Sequence, residues 1–236
     1  MSFFSKLFQS KKYRKNPNPK ILSAKKCTAL SIGAIIAEQN SCYYDSLETG
    51  LKLGEIKIKL ADYFDIVDRE SAVEILDWLK ERGHRLSFDA IKAFLAGLSP
   101  SLDERDLNDE EKEKNYYFIK NLQSSGEDLI KYGQLSSMNE LNNVSILSWD
   151  MGRLILLSRF CYDANYIDED EAWAYILDAY EKSRSQYLNW EELSRSYIIG
   201  RAMAGGEGVM LNGIIYIAKE LLKDKNSPWL LYLLQN

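Results

Sequence analysis

Asp150 and Arg153 stand three residues apart inside a segment that is otherwise among the most apolar of the chain. At about 100° per residue, residues 146–162 place Ile146, Trp149, Leu154, Leu156, Leu157, Phe160 and Cys161 on one arc, and both charges fall within it. Gly152, Ser158, Arg159 and Tyr162 make the other edge, where a charge could face water at little cost. A carboxylate and a guanidinium in an apolar stripe persist only when paired and hydrogen-bonded. The pair is therefore either a clasp between helices or the floor of a site.

Both readings draw on the next charged stripe. Residues 190–204 place Trp190, Leu193, Tyr197, Gly200 and Ala204 along one face, with Arg201 at its edge. As a clasp, Asp150, Arg153, Tyr197 and Arg201 fasten the helices at 146–162, 168–187 and 190–204, with Trp149, Trp173 and Trp190 packed around them. One carboxylate between two guanidiniums leaves a surplus positive charge, which Glu191, a helix C-terminus or a buried water would offset. As a site, the same arginines form an anion clamp, with Asp150 or Glu191 as base and Tyr197 as proton donor. That second reading lacks another inward carboxylate, a nucleophile with its base, and a metal set. No catalytic residue is assigned on this basis. The clasp is the expected reading and the anion-binding or enzymatic cleft its alternative.

The remaining chemistry-bearing residues narrow the field. His84 is the only histidine and sits in the charged turn Glu81-Arg82-Gly83-His84-Arg85. The cysteines Cys27, Cys42 and Cys161 show no CxxC spacing and read as reduced core residues. Zinc sites lose most of their ligands, and Cys/His or Ser/His catalysis loses its base. Asp168-Glu169-Asp170-Glu171 lacks the alternating ligands and central glycine of a calcium loop. Gly205, Gly206 and Gly208 precede no Lys-Ser/Thr and follow no strand, so they are not a phosphate loop. No metal and no cofactor is expected.

Four prolines and thirteen glycines in 236 residues, among abundant Leu, Ile, Ala, Glu and Lys, favour helices. Charge is segregated: residues 1–26 hold Lys6, Lys11, Lys12, Arg14, Lys15, Lys20, Lys25 and Lys26 and no acid, so the body is more acidic than the net −5 of the whole chain. An acidic body argues against broad nucleic-acid binding outside the tail. Phe3, Phe4 and Phe8, followed by Lys11, Lys12, Arg14 and Lys15, suggest contact with an anionic membrane surface through residues 1–20. The alternative is a disordered tail, or one docked on the body. The apolar run at residues 27–37 is short of the roughly twenty needed to span a bilayer and reads as a buried first helix within Ser23–Asn40.

Further helices are predicted at 54–64, 69–82, 87–98, 104–122 and 126–132, with a polar connector at 134–145. Asp68, Asp168 and Asn189 stand as caps, the last two with Glu171 and Glu192 three residues on. Gly152 and Gly200, inside helices, point to close backbone approach. The terminal Trp229-Leu230-Leu231-Tyr232-Leu233-Leu234 reads as a last helix closing the core, with anchor residues for a protein partner as the alternative. The architecture expected is an all-α, single-domain, multi-helix bundle at 23–236, with a disordered or loosely docked basic tail at 1–22 and a possible internal boundary near 99–115.

Several of these residues carry a resemblance. Trp149-Asp150-x-x-Arg153, Tyr166-Ile167-x-x-x-Glu171-Ala172-Trp173, Trp190-Glu191 and Tyr197-x-x-Gly200-Arg201 resemble the signature of the bacterial family called domain of unknown function 1266. Tyr63-Phe64-Asp65-Ile66-Val67-Asp68-Arg69-Glu70 and Trp78-Leu79-x-x-x-Gly83-His84 are similar to its amino-terminal part, over a total of roughly residues 28–206. Tyr63 and Asn189 depart from it, standing where tryptophan and serine are more usual. The resemblance implies a bacterial, mainly helical domain without a settled activity. Together with the residue reading, it leads us to expect a non-enzymatic cytoplasmic module that works through an unknown protein partner, peripheral to the inner face of a membrane if its tail engages lipid.

Overall fold

The computed structural model describes residues 12–205 and 208–235. Its centre is one helix, Leu147–Asp163, and the rest of the chain is best understood by what it lays against that rod. In chain order the helices are α1 (Ala24–Ile32), α2 (Ala34–Gln39), α3 (Leu53–Phe64), α4 (Arg69–Glu81), α5 (Arg85–Leu95), α6 (Asp109–Lys131), a 3-10 turn at Met138–Asn143, then α7 (Leu147–Asp163), α8 (Glu169–Gln186), α9 (Trp190–Met203), α10 (Val209–Lys223) and the short α11 (Pro228–Leu231). There is no strand among the described residues. α7 packs against α1, α2, α3, α4, α8 and α9.

Being surrounded changes the meaning of its helical wheel. The edge expected to offer a wet face is closed: Ser158 is 0% and Arg159 1% exposed, and Gly152 is buried. Only Leu147, Arg153, Tyr162 and Asp163 of α7 are partly exposed, as befits a core rod and not a half-exposed one. Two glycines set its distance from α9. A Cβ at Gly200 would lie 2.3 Å from the Trp149 Cβ, and one at Gly152 would lie 2.9 Å from the Tyr197 ring. The roughly 1 kcal/mol of helix propensity each glycine forfeits is offset by this close packing.

Local capping follows the sequence closely. Asp68, Asn108 and Asp168 each accept the backbone N–H three residues on and complete capping boxes with Ser71, Glu111 and Glu171; Asn189 caps α9 through the Glu192 N–H. Two boundaries differ from expectation. Residues 104–122 and 126–132 are one helix starting at Asp109, because Gly126 lies in α6 under the Met138 thioether, 2.9 Å from where a Cβ would be. Residues 23–40 instead divide at Gly33, which turns the chain against Ile155.

Residues 12–16 are tied to the body. Tyr13 is buried and its N–H donates to Glu38 at 3.0 Å, Lys12 pairs with Glu220, and Asn16 donates to Asp45, Ser46 and Glu48. Residues 17–21 run exposed beyond that anchor. At the other end Trp229 is fully buried and donates to the Ser31 carbonyl at 2.7 Å, while Leu230, Leu231 and Leu233 stay outside. One cluster of buried apolar side chains extends from Tyr13 to Leu234.

Candidate functional site

α5 begins without a local cap: His84 precedes it, and its side chain makes no capping bond. The first N–H groups of a helix need acceptors. Here they come from the far side of the core. The Asp150 carboxylate, fully buried on α7, accepts the His84 N–H on Oδ1 at 3.0 Å and the Arg85 N–H on Oδ2 at 3.0 Å. The Arg85 guanidinium adds the carboxylate's third donor, on Oδ2 at 3.2 Å, and spans back to the Leu79 and Lys80 carbonyls, both at 2.9 Å. One carboxylate thus caps the start of α5, while Arg85 caps the end of α4. Gly83 makes the approach possible: its φ of +63° suits glycine, and a Cβ there would lie 2.2 Å from Asp150 Oδ2.

Asp150 is therefore in a buried ion pair, and its partner is Arg85. The expected Asp150–Arg153 contact is absent: no ion pair joins them among the described residues. Burial pushes the Asp150 carboxyl upward, opposed by the nearby Arg153 and Arg85 charges and by the two backbone donors.

Arg153 turns instead to His84. Its Nη1 donates to His84 Nδ1 at 2.8 Å, and the Trp149 indole N–H points at the same nitrogen at 3.4 Å. A guanidinium only donates, so Nδ1 is the bare nitrogen and the ring proton sits on Nε2. Trp78 and Phe118 meet the imidazole edge-on, with centroids 5.2 and 5.3 Å away. Burial, then the Arg153 and Lys114 charges, hold the His84 pKa down to about 3, so the ring is neutral at pH 7. His84 was missed as a site residue by sequence reasoning. The signal that could have found it is a helix start with no Ser, Thr, Asp or Asn cap directly after a glycine.

Arg153 and Arg201 both lie over Trp149, with their guanidinium carbons 5.4 and 5.8 Å from its ring centroid; Arg153 is also 5.9 Å from the Phe64 ring. Both are partly exposed. Neither has a carboxylate partner among the described residues, and Arg201 has no hydrogen bond there. Burial, reinforced by the Arg201 charge, pushes the Arg153 guanidinium below its ordinary value, with Asp150 and Tyr197 opposing. Tyr197 stands edge-on to Trp149 at 5.2 Å, is 0% exposed, and its hydroxyl has no hydrogen-bond partner among the described residues. Burial raises its pKa, against the pull of Arg201 and Arg153.

The other sequence-selected residues lie elsewhere. Trp190 stacks on Trp229 at 5.2 Å, and Trp173 meets Lys26 at 4.2 Å, so of the three tryptophans Trp149 alone borders this cluster. Glu191 is exposed on α9. The polar bonds run from α7 to the α4–α5 turn, and the expected fastening of α8 does not pass through them. Lys12 is paired with Glu220, Lys15 lies 5.6 Å from the Tyr44 ring, and Arg14 donates to the Ser41 and Gly50 carbonyls and the Tyr43 hydroxyl. Phe3, Phe4, Phe8 and Lys11 lie outside the described residues. Burial raises the Cys161 thiol to about 12 and the Cys42 thiol likewise upward. Among the described residues no cluster of three His, Cys, Asp or Glu side chains could hold a metal ion, and no helix is long and apolar enough to cross a membrane.

What this arrangement can do is bind negative charge. It presents two partly exposed cations on an aromatic floor beside a neutral imidazole and an unpartnered hydroxyl. Comparison with known families matches residues 59–232 to the one described as Protein of unknown function (DUF1266). No curated protein and no solved structure matches the chain.

Proposed function

The chain belongs to the DUF1266 family, and from that membership and the geometry above we propose that it is a recognition domain. Its ligand is an anionic group, phosphate or carboxylate, taken by Arg153 and Arg201 over the Trp149 ring. The observation that carries this reading is the pair of guanidiniums with no carboxylate partner among the described residues. Buried or half-buried charges are ordinarily paired; here the buried carboxylate on the same helix as Arg153, Asp150, is spent on the α4–α5 turn. A bound anion would restore the balance through charge-assisted hydrogen bonds.

Holding the ligand fits the groups better than transforming it. Asp150 already accepts three donors and the bare nitrogen of His84 is filled by Arg153. Neither is placed to take a proton at neutral pH. The domain then works as a scaffold or interaction module that reads an anion carried by its partner or by a small molecule.

Titration calorimetry of the full chain with inorganic phosphate, sulfate and acetate tests this. Replacing Arg153 or Arg201 by Gln is expected to weaken binding at least about tenfold each, the worth of one charge-assisted bond. Binding that survives both substitutions unchanged places the ligand elsewhere and ends the proposal.

A further inference from the structure

We infer, building on the anion-binding reading, that the ligand group is a phosphate monoester and that the Tyr197 hydroxyl is the third donor to it.

Three observations converge. First, the Tyr197 side chain is wholly buried, yet its hydroxyl has no partner among the described residues. A tyrosine hydroxyl in a core normally finds one, because an unmade bond there costs the full desolvation of the group. Phenylalanine would fill the same volume without that cost, so the oxygen points to a use outside the folded chain's own bonding.

Second, its position is that of the two arginines. Tyr197 precedes Arg201 by one turn on α9, so their side chains share a face. Its ring meets the edge of Trp149, the ring over which both guanidiniums lie, and packs on the backbone at Gly152, next to Arg153. Among the described residues, the charges that act on the hydroxyl are those of Arg201 and Arg153.

Third, the donor set has the count and charge of a phosphate monoester. Two guanidiniums and a hydroxyl address three oxygens of a tetrahedral group, and the two cations match a dianion. A carboxylate offers two oxygens and one charge, leaving the phenol or one arginine unanswered. The Trp149, Phe64 and Tyr197 rings around the arginines lower the local dielectric and strengthen each of these bonds.

The test compares wild type, Tyr197→Phe, Arg153→Gln and Arg201→Gln as full chains, titrated with inorganic phosphate, phosphoserine and acetate. In wild type, phosphate and phosphoserine are expected to bind at least about tenfold more tightly than acetate. Tyr197→Phe is expected to keep or raise the melting temperature and to lose at least about tenfold in phosphate affinity, with acetate affinity unchanged. A Phe variant that binds phosphate as wild type does overturns the inference while leaving the arginine site standing. Arginine variants that bind as wild type does bring down the site itself. Should the Phe variant not fold, the tyrosine ring-carbon NMR resonances of the wild-type chain decide. A single buried tyrosine shifting with phosphate, and not with equal chloride, supports the assignment; no shift refutes it. Comparing phosphoserine with a phosphoserine-containing peptide then separates a small ligand from a modified protein partner, either of which must depend on Tyr197.

Discussion

Arg159 and Arg153 lie six residues apart on the same central helix, and their surroundings could hardly differ more. Arg159 is 1% exposed and bonded three times over: its Nε donates to the Leu47 carbonyl at 3.1 Å, and its Nη2 to the carbonyls of Tyr43 at 2.6 Å and Glu48 at 3.0 Å. Asp163, one turn on, takes the Thr49 N–H at 2.9 Å and its hydroxyl. Together they fold the 43–49 loop onto α7. Arg153 makes a single hydrogen bond, to an imidazole, and remains partly open. Burial alone therefore does not separate architecture from function in this molecule. The count of acceptors does.

The largest effects are expected where multiply bonded groups lose their partners. Asp150→Ala strands the His84 and Arg85 N–H groups and takes one of three acceptors from the Arg85 guanidinium, and Arg159→Met strands three loop carbonyls. Each is expected to cost about 3–5 kcal/mol in urea denaturation. The two should differ in character: Asp150→Ala loosens the α4–α5 turn, and Arg159→Met releases the 43–49 loop to hydrogen exchange. A loss under about 1 kcal/mol at either position would contradict that reading.

Acid provides an intermediate effect at His84. The folded pKa of His84, about 3, lies below the roughly 6.5 of an unfolded histidine. As pH falls through that window the unfolded chain takes the proton first. The contribution is fully present above the unfolded value and is lost on descent toward the folded one. Discounting for partial exposure, it amounts to roughly 2 kcal/mol between pH 7 and 4. His84→Gln should flatten that part of the stability profile; an unchanged slope would mean His84 is not held neutral by its surroundings.

How far the sequence reveals this contrast depends on the range of each interaction. Caps at Asp68, Asp168 and Asn189 are legible because donor and acceptor lie three residues apart. The glycines at 152 and 200 are legible too, since a helix interior rarely keeps glycine without a packing reason. Arg159 is misread because a helical wheel shows which residues share an arc and not what covers the opposite one. The pairing of Asp150 is misread for a related reason: Arg153 is one turn away, whereas the true partner turn is separated by 66 residues in the chain. His84 looks like a surface residue among Glu81, Arg82 and Arg85. Only the missing cap of α5, next to a glycine, betrays a remote carboxylate.

The smallest expected effect is the most informative. Arg153→Met removes one hydrogen bond and one cation over Trp149, but leaves Asp150 its three donors and His84 its aromatic walls. At neutral pH the change in stability should stay within about 1 kcal/mol, because methionine keeps the apolar stem packed and frees a nitrogen that water can reach. Burial, the larger of the forces depressing His84, persists, whereas the neighbouring positive charge does not. The histidine pKa should therefore rise from about 3 while staying below 6.5, a shift that imidazole NMR reads without ambiguity since the chain has one histidine. A stability loss as large as that of Arg159→Met would show Arg153 to be part of the scaffold after all. It would then return the guanidinium from a recognition site to a clasp.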